Sequence, residues 1–301
     1  MKKPKKFLPE IPRDHTHPVS AKCVISSFEA RTMLEQKDSL GKKIEVSLNL
    51  GMSVSEVEIA REGVRISKDA ILHWEMLEKI AEAGRRVFYL VGNEWHEAKK
   101  FSERTGLMRS LVATGRAPTM MVSGILMHRI KEIDPITDTQ MKLKTIAPIR
   151  GYVLDTATGL GYTAIEAAKT AEYVLTIELD PVSLELAAIN PWSKNLFTNP
   201  RIERILGDTS ELIYELPIGS FSVVIHDPPT ISLAGEMYSG AFYEQLFRVL
   251  SRKGKLFHYV GDPESRTSSR VVKGVMRRLN DVGFRKVRLH HEAFGVSAEK
   301  M

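Results

Sequence analysis

One stretch constrains the fold more than any other: Val153-Leu154-Asp155-Thr156-Ala157-Thr158-Gly159-Leu160-Gly161-Tyr162-Thr163-Ala164. An apolar run ends on an acid, and a loop with two glycines one residue apart follows. Ala164-Ile165-Glu166-Ala167-Ala168-Lys169 then continues with strong helix formers and no breaker. The order strand, glycine turn, helix is the opening unit of a nucleotide-binding α/β fold. Glycine lets a backbone approach a ligand closely and reach φ values that a Cβ forbids. The start of the helix adds unpaired N–H groups.

From residue 151 onward, strand and helix patterns alternate. Strands are predicted at 151–155, 173–179, 202–207, 221–226, 255–260 and 284–290, with a short antiparallel strand at 293–299. A helix follows Pro181, a residue suited to a first helical turn, and another spans 267–279. The fold class expected is α/β: a doubly wound, mostly parallel sheet over 151–301, with its ligand at the carboxyl ends of the first strands. Residues 21–133 read as a smaller α+β domain. Ile44, Val46, Leu48 and Leu50 alternate with polar residues, and Glu62-Gly63 sits between two short apolar runs as a hairpin would. Asp69 is expected to cap a helix carrying Leu72, Leu77, Ile80 and Ala81. Residues 1–20 read as a flexible basic arm, and 134–150 as a linker with a short helix near 137–146.

Charge is unevenly spread. Residues 1–150 carry 26 Lys and Arg against 19 Asp and Glu, and residues 151–301 carry 17 against 18, out of 43 and 37 in all. The positive excess therefore lies in the N-terminal half. Arg85, Arg86, Lys99, Lys100, Arg104, Arg109 and Arg116, with Phe88, Tyr89 and Trp95 among them, fit a nucleic-acid surface or an ordinary solvated face with core aromatics. Cys23, the single cysteine, excludes an intrachain disulfide and fits a reducing cytoplasm. No apolar run approaches the roughly 20 residues of a membrane span. The Lys-rich start lacks the apolar core of a signal peptide. No cluster at metal-ligand spacing accompanies His15 and His17.

Gly159-Leu160-Gly161-Tyr162-Thr163-Ala164 also fits the dinucleotide pattern G-x-G-x-x-A, with Glu178 as its ribose acid. Asp155, however, ends the strand four residues before Gly159, where a carboxylate repels a pyrophosphate but suits a donor bearing an ammonium and a sulfonium. Asp155-x-x-x-Gly159-x-Gly161 thus resembles motif I of class I S-adenosyl-L-methionine-dependent methyltransferases. The resemblance extends over residues 151–301. It implies cofactor roles for Asp155, Thr156, Gly159 and Gly161. Glu178 would accept from the ribose hydroxyls and Asp208 from the adenine amino group. His226-Asp227-Pro228-Pro229-Thr230 resembles the amino-methyltransferase motif (Asp/Asn/Ser)-Pro-Pro-aromatic. There a carboxylate and a proline-fixed carbonyl accept N–H groups and draw a planar amine toward sp³ geometry. Asp227, Pro228 and Pro229 are the catalytic candidates. Thr230 departs from the aromatic position, and Tyr238 or Tyr243 is the ring expected to replace it. Asn190-Pro191-Trp192-Ser193, with the segments 226–229 and 232–239, is similar to an uncharacterised group of predicted archaeal methyltransferases.

The resemblance implies a cytoplasmic enzyme that methylates a nitrogen of RNA (tRNA or rRNA), with no membrane or metal partner. Three alternatives stay open. One is an aminopropyltransferase of the spermidine-synthase type, and another is a methyltransferase acting on a protein or small molecule. The third is an RNA-binding module without catalysis.

Overall fold

The computed structural model describes residues 13–301, and of residues 266–268 only the backbone. The chain forms two compact units. One holds residues up to His15, Ile136–Pro181 and Thr198–Met301; the other holds Thr16–Pro135 and Val182–Phe197.

The first unit is built on a seven-stranded sheet. Its strands are β1 (Tyr152–Asp155), β2 (Tyr173–Glu178), β3 (Ile202–Leu206), β4 (Phe221–His226), β5 (Leu250–Tyr259), β6 (Arg285–His290) and β7 (Gly295–Glu299). Their order across the sheet is β3-β2-β1-β4-β5-β7-β6. The first five run parallel, and β7 inserts antiparallel between β5 and β6. Near-continuous Val, Ile and Leu in β1, β2 and β4 reflect strands buried on both faces. Helices α1 (Pro135–Lys144), α2 (Tyr162–Ala167), α4 (Gly240–Val249) and α5 (Arg266–Val282) belong to this unit, while α3 (Pro181–Ile189) goes with the second. Leu154, Leu175, Ile177, Val224 and Leu256 of the sheet share one buried cluster with Phe242 and Leu246 of α4 and Val272, Val275 and Leu279 of α5. Register brings the strand ends together: Asp155 lies opposite both Thr176 and Ile225, and His226 opposite His258.

The second unit is antiparallel, with one three-stranded and two four-stranded sheets. The hairpin expected at Glu62-Gly63 forms, with Ile59 opposite Val64. The helix expected from Asp69 instead starts at Trp74 and ends at Glu82. Leu72 sits opposite Val64 in the strand Ala70–His73, so ladder pairing overrides the local helical pattern. Cys23 is buried and its thiol is pushed up to about 12, chiefly by desolvation, as suits an inert core residue.

This division falls within two residues of the expected boundary at 133, and it adds residues 182–197 to the N-terminal half, for identifiable reasons. Residues 182–197 are bound to the N-terminal half. The Val19 N–H donates to the Ala188 carbonyl at 2.9 Å, and the Trp192 indole donates to the Leu50 carbonyl at 3.0 Å. Arg109 donates to Ser183 at 3.2 Å, and Lys100 pairs with Glu185. The expected linker supplies α1 to the first unit. Residues 1–12 of the expected arm lie outside the described residues. Beyond them, the Asp14 carboxylate accepts from Arg204 of β3 at 2.7 Å, and Arg13 pairs with Glu203 at 3.0 Å. Among the described residues no helix is long and apolar enough to cross a membrane.

Candidate active site

The loop after β1 is pinned almost amide by amide. The N–H of Thr156 donates to the Ile225 carbonyl (3.0 Å), that of Thr158 to the Ile177 carbonyl (3.0 Å), and that of Gly161 to the Thr158 carbonyl (2.7 Å). The Gly159 N–H donates to Glu178 Oε2 at 2.8 Å, while Glu178 Oε1 accepts from the Asp180 N–H at 3.0 Å. The acid ending β2 therefore clamps the glycine turn through both of its oxygens. Gly159 and Gly161 sit at φ +52° and +78°, in the left-handed region that favours glycine. A Cβ on Gly159 would meet nothing within 4 Å, so its own neighbours do not require the glycine. The space beside it is room a ligand can take. Helix α2 is only six residues long, so the turn offers backbone approach rather than a sizeable helix dipole.

Asp155 lies deeper than the sequence pattern implies. It is fully buried, and its Oδ2 accepts from Thr163 (2.9 Å) and Thr176 (3.0 Å). Oδ1 has no hydrogen-bond partner among the described residues. Desolvation dominates, with a further upward push from Asp227, and the two hydroxyls and the Ala157 amide pull only partly back. The carboxyl is raised to about 7. An under-compensated buried acid beside an open glycine turn fits a cationic donor. Because Asp155 is sealed below the turn, its charge would reach a ligand in the turn through its field rather than by contact. Thr156 is equally enclosed. Its hydroxyl pairs with His226 Nδ1 at 2.7 Å, and its carbonyl accepts from Thr209 at 2.8 Å, which makes it a brace.

Asp208 is half-buried and caps the short helix Thr209–Leu212, its Oδ1 accepting from the Ser210 N–H at 2.8 Å and hydroxyl at 2.7 Å. Its Oδ2 makes no hydrogen bond among the described residues and can take an exocyclic amine. A Cβ on Gly207 before it would come within 2.5 Å of Leu212 Cδ1, the movable end of that side chain.

Asp227 follows β4, and its partner is a residue the sequence reading missed. Lys142 of α1 is buried and donates to Asp227 Oδ2 at 2.7 Å; its ammonium also lies 3.1 Å from Asp138 and 4.7 Å from the Tyr259 ring centroid. Burial alone would lower the Lys142 pKa, but Asp227 and Asp138 outweigh it and hold the pKa above the usual lysine range. The ammonium stays charged and fixes the Asp227 carboxylate. Only the low probability of a buried lysine on a short helix before the sheet could have hinted at this, and Lys142 lies 85 residues from Asp227.

Pro228 is buried, and the Pro229 carbonyl accepts from the Tyr238 hydroxyl at 3.0 Å. This corrects the expectation of a stacking ring from Tyr238 or Tyr243. Both are core residues, and the Tyr243 hydroxyl pairs with His258 Nε2 at 2.8 Å. His226 joins two loops, Nδ1 to Thr156 and Nε2 donating to the Met237 carbonyl at 2.9 Å. Desolvation lowers it to about 3, so it works as a neutral strut. Among the described residues no group of His, Cys, Asp and Glu is arranged to hold a metal.

The basic set noted in the N-terminal half does not form one open patch. Arg109 is buried, Arg116 pairs with Asp134 at 3.1 Å, and Lys100 pairs with Glu185.

No family model matches the chain. Among solved structures, the chain is similar to a spermidine synthase in complex with the transition-state analogue AdoDATO (TM-score 0.58, 17% identity, covering 69% of this chain and 76% of that one). It is also similar to the spermidine synthase of Thermotoga maritima (TM-score 0.55, 18% identity, 69% and 75%). At such identities the likeness establishes a shared fold. The sequence relative is far nearer: 42% identity over 264 residues, covering 85% of this chain and 90% of the relative. The chain belongs to the family of that relative, the uncharacterised protein MJ1233 of Methanocaldococcus jannaschii.

Proposed function

We propose that the chain is a methyltransferase that moves a methyl group from S-adenosyl-L-methionine to a nitrogen of an RNA nucleotide. One juxtaposition carries the reading. At the carboxyl ends of adjacent parallel strands, a glycine turn clamped by Glu178 over buried Asp155 meets Asp227, held by Lys142. S-adenosyl-L-methionine, when bound, supplies an electrophilic methyl carbon on a positively charged sulfur. Glu178 accepts from the ribose hydroxyls and Asp208 from the adenine amine, while Asp155 favours the positive end of the donor. Asp227 would accept an N–H of the acceptor and aim the nitrogen lone pair at the methyl carbon; as the C–N bond formed and the C–S electron pair returned to sulfur, the proton released by nitrogen would leave to solvent, because Lys142 already holds the carboxylate ionised. The basic balance of residues 1–150 supports a polyanionic acceptor.

A second reading, aminopropyl transfer from decarboxylated S-adenosylmethionine to a polyamine, is favoured by the fold shared with spermidine synthases. Lys142 weighs against it, because an ammonium 2.7 Å from Asp227 already neutralises the carboxylate that a polycation would need. Calorimetric titration of wild type and Asp155→Ala with S-adenosylmethionine, S-adenosylhomocysteine and the decarboxylated donor tests the donor. Methyl-labelled donor incubated with total RNA tests the acceptor. No binding of S-adenosylmethionine by wild type removes the first reading. Label entering protein or small molecules instead of RNA removes its acceptor.

A further inference from the structure

The near-neutral charge of residues 151–301 hides a segregated segment. Between residues 266 and 290 stand eight Lys and Arg and a single acid, Asp281. Within α5, Val272, Val275 and Leu279 are buried, whereas Arg270, Lys273 and Arg277 are exposed. Spacing of three and then four residues places the three cations in one stripe opposite the apolar face. At 1.5 Å per residue the stripe is roughly 10 Å long. None of the three makes an ion pair or hydrogen bond among the described residues. Exposed lysines elsewhere commonly do, as in Lys37 with Glu78, Lys43 with Glu56, and Lys169 with Glu166. Arg278 is not part of the stripe. It lies against Gly274, where a Cβ would be 3.1 Å from its Nη1, and sits 5.9 Å from the Tyr243 ring.

The stripe is tied to the site by topology. β5 runs parallel to β4 with His258 opposite His226, and its last residue, Tyr259, is the ring beside Lys142 and hence beside Asp227. The chain enters α5 seven residues later, from the same end of the sheet that carries Asp155, Glu178 and Asp227. A strand held on Arg270 at the near end of the helix can therefore continue toward the acceptor side of the site.

We infer that this face of α5 is a docking surface for the phosphate backbone of an RNA acceptor, an assignment that rests on the methyltransferase reading for its purpose. Three unpaired cations at this spacing neutralise successive phosphates without reading sequence. A membrane surface fits less well, because the apolar residues of α5 are spent in the core and cannot insert among lipids. The probes are a fluorescein-labelled single-stranded RNA of mixed sequence and, in a parallel arm, phosphatidylserine vesicles. Binding is followed across about 50 to 200 mM salt. For Arg270→Gln/Lys273→Gln/Arg277→Gln, RNA affinity falls at least tenfold at the lower salt, and the slope of log affinity against log salt shrinks by about 2, from about 0.7 per contact over three contacts. The urea unfolding midpoint stays unchanged and shows that the variant is folded, and affinity for S-adenosylhomocysteine, titrated in the same samples, also stays unchanged. Wild-type affinity and slope in the variant overturn the assignment. So does a wild type that binds vesicles but not RNA. If wild type binds RNA through α5 yet takes no S-adenosyl donor, the surface stands and the methyltransferase reading falls.

Discussion

Replacing Asp155 by Asn tests the electrostatics on which the donor site depends. The carboxyl titrates at about 7 in the fold, against ~3.9 in an unfolded chain. A group with a raised folded-state pKa binds its proton more tightly when native. Its stabilising contribution is complete below the unfolded value and is lost as pH climbs toward 7. Across that window the loss comes to about 4 kcal/mol. Asn keeps one oxygen for the Thr163 and Thr176 hydroxyls and places an unpaired amide N–H₂ where Oδ1 was. Relative to the protonated carboxyl, that exchange costs about 1–3 kcal/mol, a cost that does not change with pH. The variant is therefore less stable than wild type near pH 4 and as stable or more so near pH 8. The readout is the difference between the two proteins in urea unfolding, because other titrating groups cancel. His226, lowered to about 3, pulls the opposite way in part of the same window. Binding of the cationic donor by wild type near pH 7, where a carboxyl raised to about 7 is about half protonated, should also release up to about half a proton, measurable by calorimetry in buffers of different ionisation enthalpy. The neutral sulfur of S-adenosylhomocysteine should release less. A difference that stays constant to within about 1 kcal/mol, the scale of extrapolation error in such unfolding curves, refutes the reasoning.

Gly159→Ala should cost only about 1–2 kcal/mol for its left-handed φ, since no protein atom opposes the Cβ. It should weaken S-adenosylhomocysteine binding at least tenfold, read by thermal unfolding beside calorimetry. Lys142→Met strands Asp138 and Asp227 without their shared cation and should lose about 3–5 kcal/mol; adding Asp138→Asn should recover part of that in a double-mutant cycle. His226→Phe removes the strut between Thr156 and Met237 and should cost about 2 kcal/mol at neutral pH. It should also flatten acid unfolding, because a depressed histidine contributes stability above its unfolded pKa of ~6.5 that is lost as pH falls toward 3. Glu178→Ala releases the Gly159 and Asp180 amides, so donor affinity should drop more than global stability, compared by calorimetry and urea midpoint.

What could be read in the sequence was what is local. β1, β2 and β4 are apolar runs that end on Asp155, Glu178 and His226, and their strong patterns survive in the fold. The strands Glu94–Glu97 and Lys99–Ser102 were not legible, because their mixed polar composition carries no period and only pairing with neighbouring strands defines them. The helix after β2 likewise gives no local sign that residues 182–197 belong with the N-terminal half.

The sequence by itself determined the glycine turn, the order of the parallel strands' acids and the Asp-Pro-Pro segment, because each depends on a few consecutive residues with narrow backbone preferences. Only the tertiary structure decided that Asp155 lies sealed beneath its turn, that Tyr238 and Tyr243 are core rather than platform, and that Lys142 grips Asp227. Burial and ion pairing depend on which distant segments fill the space around a side chain, and a linear pattern holds no record of those neighbours.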